Sequence, residues 1–185
     1  MYNFSGYILV LTSSILMGLS QHPIGLGFLS YISLIPILPL LINLNCYKEA
    51  FAKGIVWGFF YNLITVYWIA SNIGTSSSIA MITMILAVLI LTSGYVVIFL
   101  LWCLLNKRGN CIYLLSFLWP VIELSRMYGS LGFPWNSLSN SQLDYNLIIQ
   151  NAEYVGMFGI TCWVVLLNIL IFKVITDKTN KALIL

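Results

Sequence analysis

The sequence has 185 residues, of which 61% are hydrophobic and only 7% are charged. This composition excludes an ordinary soluble domain and indicates an integral membrane protein. The formal net charge of +3 comes from cations spread over short connectors between apolar stretches, so we do not expect binding to nucleic acid.

Six apolar stretches are long enough to cross a bilayer, which requires about 20 residues per helix. Continuous apolar runs predict helices, because the strands of a membrane barrel alternate in polarity. We therefore predict an all-α fold, a single domain of residues 1–185 that forms an integral membrane helical bundle with about six transmembrane helices. The predicted spans are Tyr2 to Ser20, Ile24 to Leu44, Gly54 to Ser71, Ile79 to Leu105, Cys111 to Met127 and Tyr154 to Thr176.

Three of these spans have features that affect their geometry or processing. The first has no basic residue before its apolar stretch, so we interpret it as a permanent helix rather than a cleaved signal peptide. Pro36 and Pro39 should bend the second span or end it early, because proline removes a backbone donor. The fourth predicted span is the longest, so we expect it to tilt or protrude.

The positive residues predict the orientation of the bundle. Seven of the eight Lys and Arg residues lie on one side, namely Lys48, Lys53, Lys107, Arg108, Lys173, Lys178 and Lys181. Positive residues are retained in the cytoplasm during insertion, so six crossings place both termini there. The loop from Tyr128 to Asn146 contains no Lys or Arg and should face outward, to the periplasm if this is a bacterial inner-membrane protein.

No metal site or Cys-His nucleophile is predicted. The four cysteines form no Cys-x-x-Cys pair, and three of them lie at or near the cytoplasmic side, where disulfides are rare. The only histidine, His22, lies in a tight connector before Pro23 and has no cysteine near it in the sequence. We interpret the cysteines as small buried apolar residues.

Two ionisable residues lie within the predicted fifth span. Glu123 and Arg126 are three positions apart, so on a helix they share a face and can form an ion pair. Ionisable residues inside a membrane are costly, and such a pair is therefore a candidate functional site. The alternative is that Arg126 extends to the interface and holds Glu123 only for stability. The sequence leaves both interpretations open.

The centre of the outward loop is a stiff aromatic segment, Gly132-Phe133-Pro134-Trp135. Pro134 fixes its own backbone and pushes Phe133 towards an extended conformation, so Trp135 is held in place. An interfacial tryptophan often serves only as an anchor. Here hydrogen-bonding side chains follow within a few residues, as a site for a lipid head group and acyl chain requires. The predicted lipid-binding residues are Phe133, Pro134, Trp135, Ser141 and Gln142.

The order of these residues resembles the membrane portion of apolipoprotein N-acyltransferase. The similarity runs from about Leu19 to Phe172 and is strongest from Trp119 to Asn168. Within that part it is carried by Trp119, Glu123, Arg126, Gly132-Phe133-Pro134-Trp135, Ser141-Gln142, Gln150, Gly156, Gly159 and Asn168. Gly54-Ile55-Val56-Trp57-Gly58-Phe59, Tyr67-Trp68 and Ser71 resemble the third span of the family.

The resemblance implies an enzyme that transfers a fatty acyl chain from a phospholipid to the amino terminus of a diacylglyceryl-cysteine lipoprotein, without a cofactor. In that family a periplasmic nitrilase-like domain carries a Glu-Lys-Cys triad, whose cysteine forms a thioester intermediate. None of Cys46, Cys103, Cys111 and Cys162 matches this nucleophile, and the chain contains no triad motif. We therefore carry over no catalytic residue and expect a nitrilase-like catalytic domain as partner.

Two alternatives belong to other functional classes. One is a non-catalytic membrane scaffold that docks a separate catalytic chain. The other is a small transporter, which predicts several polar residues facing each other at mid-membrane. Apart from Glu123, the spans offer only neutral candidates, Asn62, Thr83, Thr92 and Asn168. Such residues more often join helices through hydrogen bonds, so transport is the less favoured alternative.

Overall fold

A computed structural model describes residues 4–109, 111–129 and 132–182, with side chains described up to residue 177. The predicted start of the first span at Tyr2 lies outside this range, as do residues 130 and 131 of the predicted outward loop and the side chains of Lys178 and Lys181. All regular secondary structure in the described residues is helical, as predicted. The α-helices are α1 Phe4–Ser20, α2 Leu38–Ile42, α3 Tyr47–Val66, α4 Ser77–Lys107, α5 Leu115–Ser125, α6 Asn146–Ile149 and α7 Ala152–Ala182. Short 3-10 helices occupy Gly27–Tyr31, Ile35–Ile37, Tyr67–Ser71, Ile112–Leu114 and Leu138–Gln142.

Three of the described helical segments are long and apolar enough to cross a membrane. They are Tyr47–Ser71, Ser77–Lys107 and Ala152–Asp177. Three shorter apolar segments, Phe4–Ser20, Gly27–Ile42 and Ile112–Ser125, occupy the positions of the other predicted spans. The second of these is not one continuous α-helix, because Pro36 and Pro39 each lie at the start of a new helical piece.

Helix α3 begins seven residues before the predicted third span, which started at Gly54. The prediction places Lys53 among the cations of the connector before this span, but the structure buries its side chain to 5% exposure. Its ammonium group pairs with Glu49 one helical turn earlier. The pair offsets the cost of removing the lysine from water, so the helix continues through both residues.

Two glycines allow α3 and α4 to pack closely. A Cβ atom at Gly54 would lie 2.9 Å from Val96 Cα, and one at Gly58 would lie 3.0 Å from Tyr95 Cβ. A side chain at either position would therefore push the helices apart. Small residues four positions apart on one helix are a common basis for close helix packing in membranes.

The centre of the bundle contains a cluster of buried aromatic residues, Trp57, Tyr61, Tyr95 and Trp119. Their ring centroids lie between 4.9 and 6.0 Å apart, in stacked, tilted and edge-on arrangements. The Trp57 indole also donates a hydrogen bond to Ser13 Oγ on α1 at 2.9 Å. The cluster thereby joins α1, α3, α4 and α5 beneath the loop described next.

Candidate functional site

The predicted outward loop folds back into the helical bundle instead of remaining on its surface. Its 3-10 helix, Leu138–Gln142, packs against α7 and against the 3-10 helix Gly27–Tyr31. Four of the five residues in this turn are buried, including Ser141 and Gln142 at 3% and 0% exposure. Burying polar side chains is costly unless hydrogen bonds compensate for the lost water, so their partners decide whether the arrangement is stable.

Gln142 has partners for both ends of its amide. Its Nε2 donates to Ser30 Oγ at 2.8 Å and to Ser141 Oγ at 2.8 Å, and it lies 3.3 Å from the Gly27 carbonyl oxygen. Its Oε1 accepts a hydrogen bond from the Tyr31 hydroxyl. Ser141 Oγ in turn donates to a carbonyl within its own 3-10 helix. Gln142 therefore holds the loop against the 3-10 helix Gly27–Tyr31, and Ser141 supports Gln142 from within the loop.

Glu123 holds the beginning of the same 3-10 helix. The residue is 1% exposed, and its Oε1 accepts a hydrogen bond from the Leu138 N–H group at 2.9 Å. Its Oε2 accepts one from the Thr161 hydroxyl on α7 at 2.7 Å. The first N–H groups of a helix lack partners within it, and here the carboxyl group supplies one. Glu123 thus connects α5, the loop and α7.

Arg126 lies near Glu123 but has different partners. Its Nη2 is 3.4 Å from both the Tyr95 hydroxyl and Asn136 Oδ1. Its guanidinium carbon lies 4.7 Å from the centroid of the Tyr95 ring, within the range of a cation–π contact. No direct ion pair joins Arg126 to Glu123 in the described residues. The carboxyl group of Glu123 is bound instead by the Leu138 N–H group of the loop and by the Thr161 hydroxyl of α7.

Asn136 is the point at which the loop enters the aromatic cluster. It is 1% exposed, and its carbonyl oxygen accepts a hydrogen bond from the Tyr61 hydroxyl at 2.8 Å. Its side-chain Nδ2 donates to Asn62 Oδ1 on α3 at 2.6 Å. Its Oδ1 faces Arg126. The residue directly after Trp135 is therefore fixed from several sides.

The predicted aromatic segment, Phe133 to Trp135, forms the rim of the bundle at the end where the loop packs into it. Trp135 is 66% exposed, whereas Phe133 packs against the buried cluster of Val66, Val88 and Leu91. The two rings meet edge-on with centroids 5.4 Å apart. Asn140 Nδ2 donates to the Trp135 carbonyl oxygen at 2.7 Å, which closes the turn. The Trp135 indole therefore projects outward from a backbone that is held on both sides.

A groove of about 320 Å³ lies beside Trp135. Its lining is mainly apolar and comes from the connector after α1, the end of α3, the following 3-10 helix and the loop. The lining residues are His22, Pro23, Thr65, Val66, Trp68, Trp135, Asn140 and Leu143. At its edge, His22 Nε2 lies 3.2 Å from Asp144 Oδ2 and links the connector to the loop. The volume is at the lower end of the range for ligand pockets in proteins.

The sequence interpretation missed two contributors to this groove. His22 was considered only as a metal ligand or catalytic base, and Trp68 only as part of a family resemblance. Trp68 is 45% exposed and lines the same groove as Trp135, although the two residues are 67 positions apart in the chain. No spacing pattern signals a contact of this kind, so only the folded chain brings the two indoles to one groove.

Comparisons with known proteins identify similar chains. A family model described as the apolipoprotein N-acyltransferase N-terminal domain matches residues 13–170. A protein named apolipoprotein N-acyltransferase from Geobacter metallireducens is 28% identical over 174 residues, which cover 91% of this chain and 33% of that protein. One of the same name from Chlorobaculum tepidum is 24% identical over 182 residues, covering 94% of this chain and 32% of that protein. The chain thus spans about a third of the length of these curated relatives.

Proposed function

This chain belongs to the apolipoprotein N-acyltransferase family, matching its N-terminal domain over most of its length, and on that premise we propose that it is the membrane portion of such an enzyme. The reaction would transfer a fatty acyl chain from a phospholipid to the N-terminal amino group of a diacylglyceryl-cysteine lipoprotein. The bond-making steps would belong to a nitrilase-like domain, and this chain would receive the lipids. No residue of this chain is assigned a catalytic role.

The exposed indole of Trp135 is the observation that carries this proposal. The Trp135 side chain is 66% exposed, whereas Asn136 and Leu138, which follow it in the loop, are buried. The indole lies at the edge of a mainly apolar groove that also exposes Trp68. Aromatic rings with a polar edge suit the boundary between acyl chains and head groups. We propose that a lipid acyl chain lies in this groove against Trp135.

The remaining predicted site residues take two roles within this proposal. Phe133 and Pro134 support the indole from the buried side of the rim. Ser141 and Gln142 hold the loop in place through their internal hydrogen bonds. The proposed orientation has six membrane crossings in the bacterial inner membrane, with both termini in the cytoplasm and the groove at the periplasmic face.

Photocrosslinking tests the groove directly. The protein is reconstituted in phospholipid vesicles that contain a phospholipid with a diazirine in one acyl chain, and crosslinked peptides are mapped by mass spectrometry. Trp135→Ala should lower crosslinking at the groove about tenfold, equivalent to about 1.4 kcal/mol of lost binding. In a strain whose lipoprotein acylation depends on this gene, the same variant should insert normally but acylate poorly.

Trp163→Ala is the matched control, because this indole is 48% exposed on α7 and does not line the groove. It should leave crosslinking at the groove and acylation unchanged. Equal crosslinking by wild type and Trp135→Ala would remove the lipid-binding role of the rim. Normal acylation by Trp135→Ala would remove its role in the reaction and favour the scaffold alternative.

A further inference from the structure

A chain of hydrogen bonds runs from Arg126 to α3 and passes through the residue next to Trp135. Arg126 Nη2 faces Asn136 Oδ1 at 3.4 Å, and Asn136 Nδ2 donates to Asn62 Oδ1 at 2.6 Å. Asn62 Nδ2 then donates to the Gly58 carbonyl oxygen at 2.7 Å. Asn62 itself is fully buried, at 0% exposure. The Asn136–Asn62 and Asn62–Gly58 bonds are therefore made away from water.

The direction of this chain is fixed at both of its ends. A guanidinium group can only donate hydrogen bonds, so Asn136 must present its amide oxygen to Arg126. A backbone carbonyl can only accept, so Asn62 must present its amide nitrogen to Gly58. The two amides can then meet only as they do, with the Asn136 nitrogen on the Asn62 oxygen. Neither amide can turn over without placing two donors or two acceptors in contact.

We propose that Asn62 is a positioning residue that, through Asn136, fixes the Trp135 indole at the rim of the groove. This inference rests on the proposed role of Trp135 in lipid binding. Without the Asn62 oxygen, Asn136 Nδ2 has no acceptor in a buried site, and an unpaired buried donor is costly. The loop relieves that cost by moving Asn136 towards water, and Trp135 moves with it. Tyr61 holds only the Asn136 carbonyl and does not replace the lost acceptor.

The test measures the environment of Trp135 separately from lipid binding. The protein is produced with 5-fluorotryptophan at its six tryptophans, and Trp135→Phe identifies the Trp135 resonance in the fluorine NMR spectrum by its loss. Asn62→Leu should shift or split this resonance and lower diazirine-lipid crosslinking at the groove about tenfold. Ser14→Ala is the control, because Ser14 is equally buried, on α1, and its hydroxyl donates to the Leu11 carbonyl within that helix. It should leave the Trp135 resonance unchanged.

A second variant removes the same Asn136–Asn62 hydrogen bond by changing its partner in the loop. Asn136→Ala removes the side chain but keeps the carbonyl that Tyr61 binds, and it serves if Asn62→Leu fails to insert. The double variant should cost no more crosslinking than either single variant, because one shared bond is lost in all three. An unchanged Trp135 resonance in Asn62→Leu, or multiplicative losses in the double variant, would overturn the positioning role. If Trp135→Ala itself leaves crosslinking unchanged, the lipid-binding proposal fails instead, whatever the resonance shows.

Discussion

Replacing Glu123 should show how strongly the loop is attached to the bundle. Glu123→Leu removes both acceptors and leaves the Leu138 N–H group and the Thr161 hydroxyl without their present partner in a buried site. Each lost bond of this kind costs about 1–2 kcal/mol, so the free energy of unfolding should fall by about 2–4 kcal/mol. The unfolding equilibrium constant should then rise roughly 30-fold to 900-fold.

Unfolding of the purified protein in mixed micelles, followed by tryptophan fluorescence as the fraction of denaturing detergent increases, measures this change. Glu123→Gln should lose only about 1 kcal/mol, because its amide oxygen still accepts from Leu138 and its nitrogen can donate to Thr161. Glu153→Leu is the control, since this carboxyl group is exposed in the first turn of α7 and its loss should change stability by about 0.5 kcal/mol or less. Equal stability of Glu123→Leu and Glu153→Leu would refute the attachment.

Two further experiments test the loop packing and the orientation. A Cβ at Gly27 would lie 2.1 Å from the Ser141 carbonyl oxygen, so Gly27→Ala should destabilise the protein by about 1–3 kcal/mol in the same unfolding assay. Gly6→Ala, whose nearest contact would be 3.8 Å, should be nearly neutral, and equal stability of the two variants would contradict the close approach. Cys46 and Cys111 are exposed, so an impermeant maleimide should label them only from the cytoplasmic side, and labelling in intact cells would refute the proposed orientation. The backbone N–H groups of Glu49 and Lys48 lower the pKa of the Cys46 thiol, so its maleimide labelling should stay fast below the pH at which thiols usually ionise, as the pH dependence of its labelling rate would show.

The helical class and the family could be predicted from the sequence. The class depends on local apolar runs, and the family depends on the order of residues along the chain. Apolar runs indicate helices that lie against lipid or against each other, and each predicted span overlaps an apolar helical segment of the described residues. The order of Trp119, Glu123, the Phe133-Pro134-Trp135 segment and Ser141-Gln142 predicted the family, which the family model confirms. The start of α3 was missed, because a hydropathy pattern counts Lys53 as polar without regard to its partner.

The arrangement of the site was beyond the sequence, because its contacts join distant segments. A polar loop beside apolar spans is expected to face water, yet Gln142 and Asn136 are buried and find partners more than 70 positions away. Arg126 follows the last residue of α5, and the loop and the neighbouring helices bind the polar groups of Glu123 and Arg126 separately.

The amino-acid sequence alone determined a membrane helical protein and its family, since helix-forming apolar runs and residue order are properties of the chain itself. Only the tertiary structure decided which polar groups are satisfied internally and which side chains remain available at the rim. The physical reason is that a buried hydrogen bond depends on where the second partner lies in space. Trp135 is exposed because Asn136, Leu138 and Gln142 are held by residues from α3, α5 and the connector after α1.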